Sequence, residues 1–506
     1  MSPSRKDLLM KPEDFPKSVR SFIIPEIGGI LEYRCLKCGQ NHSIENLLYT
    51  CPKCGGVLLI QDLTEKKKLQ RPGKLWRRIF DYRRMTTLPA LKGIFSYHEM
   101  IASVIPLEYI LYLGEGHTPI VEANSELRDK IGIPFYYKND GQNPSASFKD
   151  RGMACALSYL NYLISKNKLK NVLAVCASTG DTSASAALYA AYLGDSIRSA
   201  VLLPKGKVTP QQLAQPLGSG AKVIEIPGVF DDCMKVVEYL ADHYPVALLN
   251  SKNAWRILGQ ESYAFEVAQD LDYQLDNIVV IVPIGNAGNI TAIISGFLKL
   301  HRYGLISLLP KIIGVQSNHA DPVYRYYLET SPQKRIFKPV TVKPSVAQAA
   351  MIGNPVSMPR VIEMVEQYNK ISGKQNIFVV QVKEQDIMDH MLLANRNGHI
   401  ACTQGGESLA GLVKARSMKI VHPSEIAIID ATAHAIKFSG FQDMYFANTF
   451  PAEFNIQPKK KLQNQPLSAA LRQGDPHSDP GRLKDPKEYK LFIEKTSLSV
   501  TKILGI

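Results

Sequence analysis

The sequence predicts an α/β protein: parallel sheet with helices on both faces, a small cysteine-bearing module ahead of it and a polar tail behind. Three observations carry this. From about Thr118 to Ser317, short apolar runs alternate with segments whose apolar positions recur at helical spacing. Two of these runs end in a turn of small and polar residues that leads straight into a helix, the way a parallel strand hands over to its crossover. The first 95 residues differ from the rest, holding two Cys-x-x-Cys-Gly knuckles and a dense block of lysine and arginine.

The knuckles are Cys35-Leu-Lys-Cys38-Gly39 and Cys51-Pro-Lys-Cys54-Gly55-Gly56. Glycine lets each turn close tightly enough for two thiolates to face one ion. Together Cys35, Cys38, Cys51 and Cys54 make a zinc-ribbon-like tetrahedral set. Four thiolates leave no open position for water, so a zinc ion held there is structural. A redox Cys-x-x-Cys pair is the alternative, and the duplication argues against it. The other cysteines, Cys155, Cys176, Cys233 and Cys402, stand singly and are expected as core thiols; eight in 506 residues are too few for a disulfide scaffold.

Much of the net charge of +14 lies between Lys66 and Arg84, in Lys66, Lys67, Lys68, Arg71, Lys74, Arg77, Arg78, Arg83 and Arg84. Such a cluster serves nucleic acid or an anionic substrate, or forms a solvated face whose members repel. The solvated face is the expectation. With 45% hydrophobic and 21% charged residues, the chain is an ordinary globular one with room for more than one domain. No apolar run reaches the roughly 20 residues of a membrane span. The charged segment Met1 to Phe15 has no apolar core of the secretory kind, so the expected location is the cytoplasm, with no membrane partner.

Strands are expected at 171–177, 200–204, 223–227, 246–250, 277–283 and 426–429, and helices at 183–193, 211–217 and 230–244. After about Asn455 the composition turns to lysine, proline, glycine and aspartate, before a last helix at 486–503. The expected domains are therefore 1–95, 96–455 and a tail of 456–506.

Ligands of parallel sheets bind where strand ends meet helix starts. At the first such place, Ser178-Thr179-Gly180-Asp181-Thr182 offers hydroxyls and N–H groups to an anion, or is simply a helix cap. At the second, Gly285-Asn286-Ala287-Gly288-Asn289 lets the backbone approach a phosphate closely. At the third, Thr432 follows the 426–429 strand and offers a hydroxyl donor. His434 is either an acid–base group or a packed loop histidine. The most informative segment is Asn143-Pro-Ser-Ala-Ser-Phe-Lys-Asp-Arg-Gly-Met153. Lys149 there stands in a small-residue turn at the start of a helix whose apolar face is Met153, Ala156, Leu157, Leu160, Leu163 and Ile164. The positive end of the helix dipole disfavours a cation, so the neutral amine, which attacks aldehydes, is favoured.

That segment resembles the lysine motif of fold-type II pyridoxal phosphate enzymes, and the wider pattern resembles the threonine synthases that carry an N-terminal cysteine knuckle. The matching segments are 113–119, 143–153, 177–183, 212–216, 250–256, 285–289, 352–357 and 432–438, in the family's order. The resemblance implies a tryptophan synthase β-like fold of two open parallel-sheet lobes, the smaller and mobile one at about 151–250. It implies that Lys149 holds pyridoxal 5'-phosphate as a Schiff base and moves protons at the substrate's α and β carbons. Phe148 then flanks the ring, Asp181 stands near its phenolic oxygen, Thr432 meets its nitrogen, and Gly285, Asn286, Ala287, Gly288 and Asn289 bind its phosphate. Ser178, Thr179, Thr182, Asn250, Arg256 and Asn286 face the phosphate of a small phosphorylated amino acid. The implied reaction is O-phosphohomoserine and water to threonine and phosphate, and the implied assembly a homodimer. Gly405-Gly406-Glu407-Ser408 matches less closely, and Glu407 is given no role. Two rivals stand beside this reading. One is a cysteate synthase acting on O-phosphoserine. The other is a nucleic-acid-binding protein that uses the ribbon and the basic stretch, which the intact lysine and phosphate-loop motifs make the weaker.

Overall fold

The computed structural model describes residues 12–166, 172–178, 180–205, 210–228, 230–244, 246–469 and 485–506. The chain forms two compact units, 1–442 with 450–457, and 443–449 with 458–506. The first unit contains thirteen described strands. In chain order they are β1 (Leu31–Cys35), β2 (Asn41–Ser43), β3 (Leu58–Asp62), β4 (Ile120–Glu122), β5 (Phe135–Lys138), β6 (Leu173–Ala177), β7 (Arg198–Pro204), β8 (Lys222–Ile226), β9 (Val246–Leu248), β10 (Ile278–Pro283), β11 (Lys311–Ser317), β12 (Ile377–Val382) and β13 (Ile426–Asp430).

They form three sheets. A small antiparallel one, β2-β1-β3, belongs to the cysteine-bearing module. A six-stranded sheet runs β12-β11-β10-β13-β5-β4, parallel except for β4 at its edge. A four-stranded sheet runs β8-β7-β6-β9, parallel throughout. Both larger sheets have central strands buried on both faces, β10 as an unbroken run of Ile278-Val-Val-Ile-Val-Pro283, as parallel strands covered by helices must be. These are the two open parallel sheets the resemblance implies. Elements expected from the sequence lie within a few residues of place. The expected strand at 246–250 stops at Leu248, because Asn250 turns back and clasps the end of β6 with its amide. Asn171 lies outside the described residues.

The Lys149–Ser165 helix has no solvent face over most of its length: Asp150 to Leu160 are all buried. The apolar stripe read from the sequence thus understates its burial, since Ala154, Cys155, Ser158 and Tyr159 also meet neighbours. Glycine sets one of these contacts. A Cβ at Gly259 would lie 2.3 Å from the carbonyl oxygen of Arg151, and one at Gly152 would lie 2.9 Å from that of Arg256. The two glycines let the Ala254–Gln260 helix lie directly on the helix that begins at Lys149.

The basic stretch corrects an expectation in part: Lys66, Lys67, Lys74, Arg78 and Arg84 are exposed, as in a solvated face, while Lys68, Arg71, Arg77 and Arg83 are half-buried or buried. Arg83 is buried, donating to both oxygens of Glu99 at 2.6 Å and to the carbonyls of Phe22, Ile23 and Ser96. Lys68 reaches Asp62 at 2.5 Å, Arg84 reaches Asp270 at 2.9 Å, and Arg77 donates to Leu305 O. The Gly73–Arg83 helix sends Trp76, Ile79 and Phe80 into the core, where Arg77 and Arg83 find acceptors, while Lys74 and Arg78 stay exposed. Sequence spacing could not reveal partners so distant along the chain. Cys155, Cys176, Cys233 and Cys402 are buried free thiols, as expected. In the second unit the Pro486–Leu504 helix begins at an Asp485 cap that accepts from Lys487 N at 2.8 Å.

Beneath the site, buried Arg151 binds Asp140 at 2.7 Å and Glu266 at 2.6 Å, and Glu266 also meets Lys138 at 2.9 Å. Removing one member of such a set leaves a bare charge in a dry interior. Glu266→Ala is expected to lower unfolding stability by about 3–5 kcal/mol, read as an earlier midpoint in urea denaturation.

Candidate active site

The loop before Lys149 is laid along the exit of β13. Ser147 pairs with Ala433, Phe148 N–H donates to Thr432 O at 2.8 Å, and His434 N–H donates to Ala146 O at 3.0 Å. Ala146 takes a positive φ of 62° to make the bend, a conformation a small residue tolerates best. Lys149 opens its helix, as expected. Its Nζ lies 4.2 Å from the centre of the Phe148 ring. Burial pushes the Lys149 amine down to about 7; Arg256 and Lys437 push the same way, while Asp181 and Asp430 oppose them. The sequence argument rested on the helix dipole, whereas the larger cause here is loss of water.

The second place, between β10 and the Gly288–Arg302 helix, is a nest of backbone donors. Ala287 has φ 62°, and Gly285 is pressed against Ala350, whose Cα would lie 2.9 Å from an added Cβ. Among the described residues no hydrogen bond is donated by the N–H groups of Gly285, Asn286, Ala287, Gly288 or Asn289. Five free donors at a helix N-terminus are what a phosphate requires. The loop is held from outside: Asn286 O accepts from Ser357 N at 3.1 Å, and the Asn289 amide donates to Asp430 at 2.7 Å. Burial and nearby Asp140 raise the Asp430 carboxyl well above its usual range.

At the exit of β6, Ser178 Oγ accepts from Gly180 N at 3.2 Å. Asp181 opens the Asp181–Tyr192 helix and pairs with Lys437 at 2.9 Å. Thr182 is half-buried on that helix's first turn, and Thr179 lies outside the described residues. Asn250 spends both ends of its amide on Ala177, accepting at 3.0 Å and donating at 2.7 Å. Arg256 is wholly buried. Its Nη1 donates to Leu249 O at 2.9 Å, but its Nε has no partner, and burial lowers it to about 10. A buried guanidinium short of acceptors is suited to an anion.

Thr432 places its Oγ1 3.7 Å from the thiol of Cys402, which opens the Thr403–Ser417 helix. His434 Nδ1 accepts from Ile436 N at 3.2 Å and so caps a turn, the second of its two readings. Lys149, Phe148, Asp181, Arg256 and Thr432 thus converge with the 285–289 loop at the mouths of the two parallel sheets. Sequence reasoning gave no role to Lys437, which joins Asp181 to Ser145 O (2.9 Å each), nor to Asp430. Lys437 lay inside a matched segment, but its partner is 256 positions away and no spacing rule connects them.

Residues 111–430 match the family described as pyridoxal-phosphate dependent enzymes. The threonine synthase of Methanocaldococcus jannaschii is 36% identical over 407 residues, 80% of this chain and 92% of that protein. The chain belongs to the threonine synthase family. Another member, from Mycobacterium tuberculosis, is 36% identical over 324 residues, 64% of this chain and 82% of that protein. The crystal structure of threonine synthase from Escherichia coli shares the fold with a TM-score of 0.61 at 22% identity, covering 84% of this chain and 94% of that one.

The four cysteines of the N-terminal module are spaced as ligands of one tetrahedral ion would be. The four sulfurs all lie within 4.8 Å of one another. Cys35 and Cys54 are 3.5 Å apart and Cys38 and Cys51 3.7 Å, against about 3.8 Å for the edge of a tetrahedron with ~2.3 Å metal–sulfur bonds. Gly39 and Gly55 have φ of 70° and 69°, so both knuckles need glycine to turn. His42 Nε2 lies 3.3 Å from Cys51 Sγ.

An amine lowered to about 7 is mostly neutral at pH 8, where an ordinary lysine at 10.5 is almost wholly protonated. Competitive acetylation of the cofactor-free protein, read by peptide mass spectrometry, is expected to give Lys149 a half-maximal rate near pH 7. A half-point near 10.5 would contradict the burial.

Proposed function

We infer that the chain converts O-phospho-L-homoserine and water to L-threonine and phosphate with pyridoxal 5'-phosphate as cofactor. The observation that carries this is Lys149 at the start of a buried helix, near Arg256, whose buried Nε lacks a partner, and near Asp430, to which the 285–289 loop is tied through Asn289. In this reading Gly285, Asn286, Ala287, Gly288 and Asn289 hold the cofactor's phosphate through backbone N–H groups. Phe148 flanks the ring, Thr432 donates to its nitrogen, and Asp181, paired with Lys437, stands near its phenolic oxygen. Bound there, the cofactor supplies an electron sink, and a hydroxyl partner at its nitrogen keeps that sink mild enough for elimination and replacement.

The protein's own groups do the rest. Lys149 takes the proton from the substrate's α carbon, serves the β carbon, and returns a proton at the end. Its low pKa makes both directions easy near neutrality. Arg256, Ser178, Thr179, Thr182 and Asn286 hold the substrate's phosphate; Asn250 contributes by fixing Ala177 and hence Ser178. The leaving phosphate, whose second ionisation lies near pH ~6, can itself carry a proton. Closure of the lobe built on β6 to β9 would keep water out until phosphate has left the γ carbon. Cys35, Cys38, Cys51 and Cys54 hold a structural zinc ion.

Two measurements check this reading. Purified protein with added cofactor is expected to be yellow and to release phosphate from O-phosphohomoserine with threonine as product; Lys149→Ala loses both colour and turnover. Phosphate release from O-phosphoserine with sulfite, and none from O-phosphohomoserine, would transfer the chain to the cysteate synthase reaction. For the metal, elemental analysis is expected to find one zinc per chain and a large loss in Cys35→Ser.

A further inference from the structure

We propose that Arg360 is a positioning residue for the substrate's phosphate, through which the four-cysteine module sets affinity for phosphorylated substrate without taking part in the chemistry. The proposal rests on the reading of Arg256 and Asn250 given above.

Arg360 lies on the Met358–Ser372 helix and is fully buried. Its guanidinium has five N–H donors, and all five are used. Nε and Nη2 donate to Leu58 O in β3 of the cysteine module, at 3.0 and 2.6 Å. Nη1 donates to Ser251 O at 2.9 Å and Nη2 to Lys252 O at 2.9 Å. Nη1 also reaches Ser357 Oγ at 3.0 Å. Among the described residues no carboxylate pairs with it, and burial lowers it to about 10. A buried cation balanced only by carbonyls and one hydroxyl is an expensive way to build a core. Here one guanidinium joins three pieces of the molecule.

The first piece is the cysteine module. The second is the turn of Ser251 and Lys252, which lies between Asn250 and Arg256. The third is Ser357, whose N–H holds Asn286 O in the cofactor loop. Three further contacts lock the module onto the same region. Trp255, beside Arg256, donates its indole N–H to Tyr33 Oη at 3.0 Å and stacks on Tyr159 at 3.7 Å. Tyr159 donates to Ile44 O at 2.7 Å. Arg34 of β1 pairs with Glu363 at 3.2 Å. The seam is close-packed, leaving a cavity of about 10 Å³ among Tyr33, Tyr49, Tyr159 and Trp255. Tyr33 and Cys35 lie on one strand, and Leu58 stands opposite Cys35 in the sheet. The four-sulfur site and the Arg360 anchor are therefore one rigid piece. An ion that fixes the sulfurs fixes Leu58 O. Leu58 O fixes Arg360, and Arg360 fixes the turn that leads into the helix carrying Arg256.

The test measures phosphate binding and catalysis separately in the cofactor-loaded protein. Arg360→Gln keeps a polar side chain but loses most of the five bonds. It is expected to weaken binding of inorganic phosphate, measured by calorimetry, by roughly tenfold to a hundredfold. KM for O-phosphohomoserine should rise in step, while colour is retained and kcat stays within about twofold. Tyr33→Phe removes only the hydroxyl that Trp255 meets. It should produce a smaller loss of phosphate affinity with a shift in tryptophan fluorescence, and it carries the test if Arg360→Gln does not fold. Chelation of the metal should weaken phosphate binding in the wild type and add nothing in Arg360→Gln, since both act through one link. Folded variants with unchanged phosphate affinity, or with kcat lost and KM kept, overturn the proposal. A wild-type protein that binds no inorganic phosphate overturns the underlying reading as well.

Discussion

Everything at the site depends on keeping water away from one amine. Lysine in water is a cation to pH 10.5, and a cation attacks nothing. The fold half-buries Lys149 at the start of a buried helix, and sets the Arg256 and Lys437 charges within reach. Asp181 and Asp430 pull the other way. Lys437 takes up Asp181, and burial raises the Asp430 carboxyl well above its usual range. The amine is thus left without a committed anionic partner, the condition under which a lysine sits near neutrality.

That arrangement is electrostatically costly, and the surrounding structure answers it with fully paired charges. Arg151, two residues on from Lys149, is bound by Asp140 and Glu266, and Glu266 by Lys138, all wholly buried. Arg83 does the same with Glu99 under the basic stretch. The contrast separates two kinds of buried cation. Arg151 and Arg83 are satisfied and hold the fold together. Lys149 and Arg256 are left short of acceptors and are free to meet a ligand.

Much of this was legible in the chain, and the parts that were share a property: they are local. Cys-x-x-Cys-Gly, the 285–289 turn and the Ser-Phe-Lys segment each complete their geometry within about ten residues, so spacing alone implies it. The strands of the two parallel sheets announced themselves as apolar runs bounded by turns. What was misread or missed is non-local. Arg77, Arg83 and Arg84 looked like members of a repelling face because Leu305, Glu99 and Asp270 lie far along the chain or on another element. Lys437 finds Asp181, and Arg360 finds Leu58 and Ser251, across hundreds of positions. Asn250 is a further instance: the resemblance places it at the substrate's phosphate, and in the fold its amide fastens β9's exit to β6.

The sequence by itself determined the chemistry on offer: a lysine at a helix start, a turn able to cradle phosphate, a hydroxyl after a buried strand, and four thiols at metal spacing. These follow from backbone rules and residue types acting over a few positions. Tertiary structure alone decided how that chemistry is tuned, because desolvation and Coulomb interactions depend on distance in space and on which groups share an interior. Lys149 near neutrality, Arg256 short of partners, and a cysteine module wired to the site through one guanidinium are properties of packing, and no segment of the chain contains them.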